Sequence, residues 1–283
     1  MGGTLKRTPD RGIVGVNSRE ANVVAVRKPA VAGAFYPREP QELLRLVAMY
    51  VESAPHDGPA PRALIAPHAG YIYSGPIAGS AYARLAAARD TIQRVVLFGP
   101  SHRVALQGLA TTAMDEFATP LGTVPVDREA IEELQQFPFV RIADDAHAQE
   151  HSLEVHLPFL QQVLANFKIV PIVVGDATPE QVEKAIALLW DPGPTLMVIS
   201  SDLSHYHDYE TACRMDKATS DAIESLNPDA INCDQACGLT SIKGLLKFAR
   251  RHELSAETVD LRNSGDTAGT RDQVVGYGAY VFT

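Results

Sequence analysis

Cysteine is scarce: three residues in 283, irregularly spaced, give no disulfide framework, and the odd count points to a reducing compartment. No run of 18 apolar residues occurs, so nothing reads as a membrane-spanning helix. The first 22 residues lack the apolar core of a secretory signal and any twin-arginine pair. Met1-Gly2 opens like a myristoylation signal, but Lys6 stands where Ser or Thr is required. A cytoplasmic protein with a flexible N-terminal extension over residues 1–25 is expected, followed by one domain over 26–283. Positive charge is also short. Lys and Arg number 25 against 34 Asp and Glu, and the net charge of −9 disfavours a nucleic-acid partner. The phosphate loop Gly-x-x-x-x-Gly-Lys-[Ser/Thr], the Gly-x-Ser-x-Gly elbow and Cys-x-x-Cys pairs are all missing. Nucleotide binding, serine hydrolysis and iron–sulfur chemistry therefore lack a basis.

What is present is a rhythm of short apolar runs and helical stripes. Ala63 to Ala66, Val95 to Phe98, Ile169 to Val174 and Leu196 to Ile199 read as buried strands. Between and around them, helical spacing appears at 40–51, 77–85, 153–164, 180–189, 210–225 and 240–250, with strand-like runs at 257–261 and 274–282. This alternation predicts an α/β domain with a central, mostly parallel sheet covered by helices, its strand order open.

In such sheets ligands sit beyond the carboxyl ends of the strands. His68 follows the run at 63–66, His102 the run at 95–98 and His205 the run at 196–199. A lone histidine at a strand end is usually a hydrogen-bonded loop residue. Three at three candidate strands make a metal centre the competing reading, since imidazole is a common transition-metal ligand. The stretch Glu150-His151-Ser152-Leu153-Glu154-Val155-His156 is dense in titratable groups. It is not a His-Glu-x-x-His pattern, and by itself it also suits a solvated helix start. His56, His147, His207 and His252 read as surface residues, Cys213 as a packing residue on a helix, and Cys237 as a small buried hydrophobe.

Five ordered motifs resemble the Memo family: Ala32 to Pro37, Ala66 to Tyr71, Gly99 to His102, Glu150 to Pro158 and Ser200 to His205. Prokaryotic members are called AmmeMemoRadiSam system protein B. The resemblance runs from about residue 28 to the C-terminus and implies a fold related to class III extradiol dioxygenases, non-haem iron enzymes. It further implies a metal pocket with His68, His102 and Cys237 as ligands. Asp202 and His205 match further pocket positions, His205 near the place of a general base, and Glu150, His151 and His156 match a motif lining the same cleft. Iron is the metal so implied, with copper or zinc as alternatives. An AMMECR1-type protein and a radical-SAM enzyme are the implied system partners.

One departure bears on chemistry. Extradiol enzymes hold iron with two His and a carboxylate, whereas Cys237 would supply a thiolate, which suits Cu(I) or Zn²⁺ better than a carboxylate does. Two functions are therefore expected in competition: dioxygenase-like or oxidoreductase chemistry on an unidentified small molecule, and a non-enzymatic adaptor whose pocket binds a peptide or partner protein. A zinc hydrolase is a third reading, without support from the family.

Overall fold

The structure, a computed structural model, describes residues 1–4 and 24–283. Most of the expected N-terminal extension, residues 5–23, lies outside the described residues.

In chain order, β1 (Val26–Arg27) leads through a strap to α1 (Pro40–Glu52), β2 (Ala63–Ala66), α2 (Tyr71–Ala83) and β3 (Arg94–Pro100). A run of short elements follows: β4 (Leu109–Thr111), β5 (Glu116–Thr119), β6 (Gly122–Pro125), α3 (Arg128–Leu134), β7 (Val140–Ile142), α4 (Asp144–Ala148) and α5 (Leu157–Val163). The rest comprises β8 (Lys168–Val174), α6 (Pro179–Leu189), β9 (Thr195–Ser200), β10 (His205–His207), α7 (Tyr209–Glu224), α8 (Leu239–Arg251), β11 (Ala256–Asn263) and β12 (Val274–Phe282).

The main sheet runs β10-β12-β2-β9-β3-β8-β4-β7, with β11 along the other side of β12. Its centre, β2-β9-β3-β8, is wholly parallel. The flanks are mixed, because β12 lies antiparallel to β2, β10 and β11, and β4 antiparallel to β8. A small second sheet, β1-β5-β6, packs beside it. The central strands are continuous apolar runs because helices cover both of their faces. Every residue of β2 and β9 is buried, so neither alternates.

On α1, Leu43, Val47 and Val51 recur at one face and are buried, while Leu44 points out. The helix expected at 77–85 begins at Tyr71 instead. Its first turns bury Ser74 and Gly75 beside Tyr71 while the apolar Ile72 is exposed, so no apolar stripe marks where the helix begins.

Register decides where the chemistry falls. Ala66 lies opposite Ser200, and Phe98 opposite Ile199, so β2 and β9 end level and β3 runs one residue further. Two residues beyond Ala66, Pro100 and Ser200 come His68, His102 and Asp202. The sheet thus delivers an imidazole, a carboxylate and a second imidazole side by side on one edge.

Candidate metal centre

His68, His102 and His151 each offer a ring nitrogen into one space, with those nitrogens all within 4.8 Å of one another. The His68 ring stands edge-on to His102 (centroids 5.2 Å apart) and to His151 (5.6 Å), and His102 stacks on His151 at 4.7 Å.

Hydrogen bonds fix which nitrogen each ring presents. Ser200 Oγ donates to the Ser152 carbonyl at 2.6 Å, so towards His68 it acts as acceptor. It takes the His68 Nδ1–H at 2.6 Å, which leaves His68 Nε2 as the unprotonated nitrogen, with the Cys237 thiol as its neighbour in the site. The Glu150 carboxylate accepts the His102 Nδ1–H at 2.9 Å and so leaves His102 Nε2 unprotonated too. This is the carboxylate–histidine pairing that orients metal-binding imidazoles. Glu150 also takes the backbone N–H groups of His102 (2.6 Å), His151 (2.9 Å) and Ser152 (2.9 Å). Burial pushes its carboxyl upward, but these bonds, led by that from the His102 ring, overcome it and hold the group down at about 2. Burial, together with repulsion from its neighbouring imidazoles, holds His68 well below the usual histidine range, and His151 is lowered mainly by burial. His151 Nδ1 is buried without a hydrogen-bond partner.

Cys237 reaches the same place from the loop before α8. Its N–H donates to the Asp202 carbonyl at 3.2 Å, and the Gly238 N–H to Ser201 Oγ at 2.9 Å, which pins the loop to the end of β9. A Cβ at Gly238 would meet the Ser200 carbonyl at 2.6 Å, so this approach needs glycine. Cys237 Sγ lies 3.3 Å from His68 Nε2 and accepts the Asp202 N–H at 3.2 Å. Burial and the Asp202 charge push its thiol up to about 12. It is part-exposed rather than a sealed core residue.

Asp202 is buried; its Oδ1 takes the His68 N–H at 2.8 Å and its Oδ2 stands 4.0 Å from His68 Nε2. Burial raises its carboxyl. His205 donates its Nδ1–H to the Leu203 carbonyl at 2.8 Å, so its Nε2 is bare. Next to it, Tyr206 occupies a bulge between β10 and β12, at φ 61° and 69% exposed. His156 lies deeper, fully buried, with Nδ1 2.9 Å from the Tyr82 hydroxyl and Nε2 without a partner. Burial and the His68 and His151 rings depress it to about 3.

A second set of residues supports the site from behind. Glu154, fully buried, receives the Arg27 guanidinium, the Tyr36 hydroxyl and the N–H groups of Ala30 and Val31. Arg27 also donates to the Glu150 and His147 carbonyls. The strap between β1 and α1 is thereby tied down, and it lays Phe35 against His151 at 4.7 Å. Tyr36 and Glu154 stood in the sequence motifs without an assignable task, and Ser200 carried no signal beyond its place before Asp202.

Two expectations are corrected. His147 is not a surface residue: it is 2% exposed, with its Nε2–H on the Ala110 carbonyl. Cys213 lies on α7 as expected but is exposed rather than packed. His56 and His252 are exposed and His207 is half-buried.

The donor set fits a transition metal: bare imidazole nitrogens, a thiol, and a carboxylate orienter behind one ring. Among the described residues no helix is long and apolar enough to cross a membrane. The chain matches the family model for Memo-like proteins over residues 27–281. It is 36% identical over 268 residues to a MEMO1 family protein of Aquifex aeolicus, covering 91% of this chain and 99% of that one. A MEMO1 family protein of Archaeoglobus fulgidus is 38% identical over 270 residues, with the same coverage of 91% and 99%. One from Thermotoga maritima is 34% identical over 273 residues, covering 89% and 97%. A family match across nearly the whole domain, with relatives of this identity over nearly their whole length, places the chain in the Memo family.

Proposed function

We propose that the chain is a metal-binding oxidoreductase-like protein in which His68, His102 and Cys237 hold a single ion, iron in the first place and copper or zinc as the alternatives. The observation that carries this reading is the gathering of His68 and His102 ring nitrogens in one space, each ring held by a partner at Nδ1 so that Nε2 is the free lone pair, with the Cys237 sulfur beside His68 Nε2. His151 is the third imidazole there, stacked on His102. When bound, the ion would supply Lewis-acid and redox chemistry towards O₂ and an organic substrate.

The protein's own groups divide the remaining work. His205, with Nδ1–H committed to Leu203, offers a bare Nε2 to take the proton of a substrate hydroxyl. Asp202 holds the His68 backbone through Oδ1 and keeps the His68 loop on the end of β9. The Phe35 ring shields one side of His151 from water. His156, behind the site, packs rather than reaching the open space. The system partners, an AMMECR1-type protein and a radical-SAM enzyme, belong to this proposal as companions in a common process.

Elemental analysis of anaerobically purified protein tests it. About one metal per chain is expected, lost in both His68→Ala and His102→Ala. Full retention by both variants overturns the ligand assignment. Oxygen uptake that needs a small phenol and stops in His205→Ala supports the enzyme. Partner binding that survives metal removal and His205→Ala supports the adaptor instead.

A further inference from the structure

We infer that Asp216 is a positioning residue for His205, acting through a single peptide plane that fixes the ring's tautomer. The inference rests on the reading of His205 as the proton acceptor. Asp216 lies on α7, 3% exposed, and has no ion-pair partner among the described residues. Burying a carboxylate without a cation is costly, so what its oxygens hold is informative. Asp216 Oδ1 accepts the Ser204 N–H at 3.0 Å. That N–H shares its planar trans peptide with the Leu203 carbonyl, and the two point in opposite directions. With the N–H gripped on the inner side, the carbonyl is turned outward, where it accepts the His205 Nδ1–H at 2.8 Å.

The chain of contacts is therefore carboxylate, amide, imidazole. A carboxylate on the N–H polarises the peptide and makes the Leu203 oxygen a stronger acceptor. The proton is thereby kept on Nδ1, and the lone pair on Nε2. It is the part an aspartate plays when bonded directly to a catalytic histidine, here relayed through one amide.

The neighbouring backbone is shaped to allow it. Leu203 N–H donates to the Gly276 carbonyl and Gly276 N–H to the Ser204 carbonyl, both at 2.8 Å, so the peptides on either side are clamped by β12. A Cβ at position 276 would stand 2.0 Å from Asp216 Oδ2, so only glycine lets the carboxylate reach the amide.

The test is the tautomer of His205, read from the ring ¹⁵N shifts of ¹⁵N-histidine-labelled, metal-free protein at alkaline pH. The wild type is expected to carry its proton on Nδ1. Asp216→Ala and Gly276→Ala should each lower the Nδ1–H to Nε2–H ratio about fivefold, the effect of one ordinary hydrogen bond. Asp216→Asn, whose carbonyl oxygen can still accept the Ser204 N–H, should retain most of the wild-type ratio. A carboxylate that merely packs α7 against the sheet would leave the ratio unmoved. An unchanged ratio in folded Asp216→Ala, or in Gly276→Ala should the former not fold, overturns the inference alone. A wild-type ring protonated on Nε2 instead removes the role proposed for His205 as well.

Discussion

Replacing Glu150 by Gln changes one atom type and tests the support of the metal site directly. The carboxylate accepts three N–H groups at Oε1 and a fourth, from His102 itself, at Oε2. A glutamine has one oxygen and one NH₂. With the oxygen at the Oε1 position, its NH₂ must face the His102 N–H, donor against donor. The structure sets the scale of the loss. The carboxyl is held at about 2 against an ordinary 4.5, a preference for the charged form of about 3 kcal/mol at most. Loss of that amount lowers the melting temperature of a domain this size by roughly 5–10 °C. Metal affinity should fall about 10- to 100-fold, because the His102 backbone N–H loses its acceptor and is pushed away by the NH₂, which displaces the ring from the Oε1 position that orients it.

The pH dependence follows from the sign of the shift. A carboxyl depressed by folding stabilises fully above its unfolded value of 4.5, and that contribution is lost as pH falls towards about 2. The difference between wild type and Glu150→Gln should therefore be flat from neutral pH down to about 5 and shrink below it. Calorimetric melts across that range, with metal titrations at neutral pH, supply both readings. A variant that melts with the wild type and binds metal equally well refutes the reasoning, as does a difference that widens in acid.

Other consequences concern the strap, the bulge and the thiol. Arg27→Met leaves the buried Glu154 carboxylate without its cation and should cost about 3–5 kcal/mol by urea unfolding; a loss below 1 kcal/mol would mean that the strap is held by its backbone bonds alone. Tyr206 is left-handed and exposed, so Tyr206→Gly should relieve strain and raise stability by about 1 kcal/mol, seen as a higher melting temperature; a drop would show that the ring is packed. Metal binding at about pH 8.5, where imidazoles are neutral, should release about one proton when followed calorimetrically in buffers of different ionisation enthalpy. That proton comes from Cys237, whose thiol is held at about 12, and no release would mean that the three imidazoles bind without it.

The sequence carried the central strands because burial on both faces writes itself as an unbroken apolar run, as at Ile169 to Val174. It could not place β9 between β2 and β3, since parallel pairing joins residues over 100 positions apart and leaves no local mark. The stretch from Leu109 to Ile142 looked irregular because its four strands are three or four residues long, too short for a period to show. The same limit applied to the site. His68 and His102 could be found from their places after strands, but Ser200 as the partner of His68 could not. His147 looked like a surface residue because the carbonyl that satisfies its ring lies 37 residues away, on β4. Glu154 and Arg27 are 127 positions apart, and each alone resembles an ordinary surface charge.

The most direct measurement of the central claim is X-ray absorption at the metal edge of the zinc-substituted protein. Two or more imidazole nitrogens at about 2.0–2.1 Å, with their outer-ring scattering, and one sulfur at about 2.3 Å are expected. A spectrum of oxygen scatterers alone, without imidazole or sulfur, would contradict it.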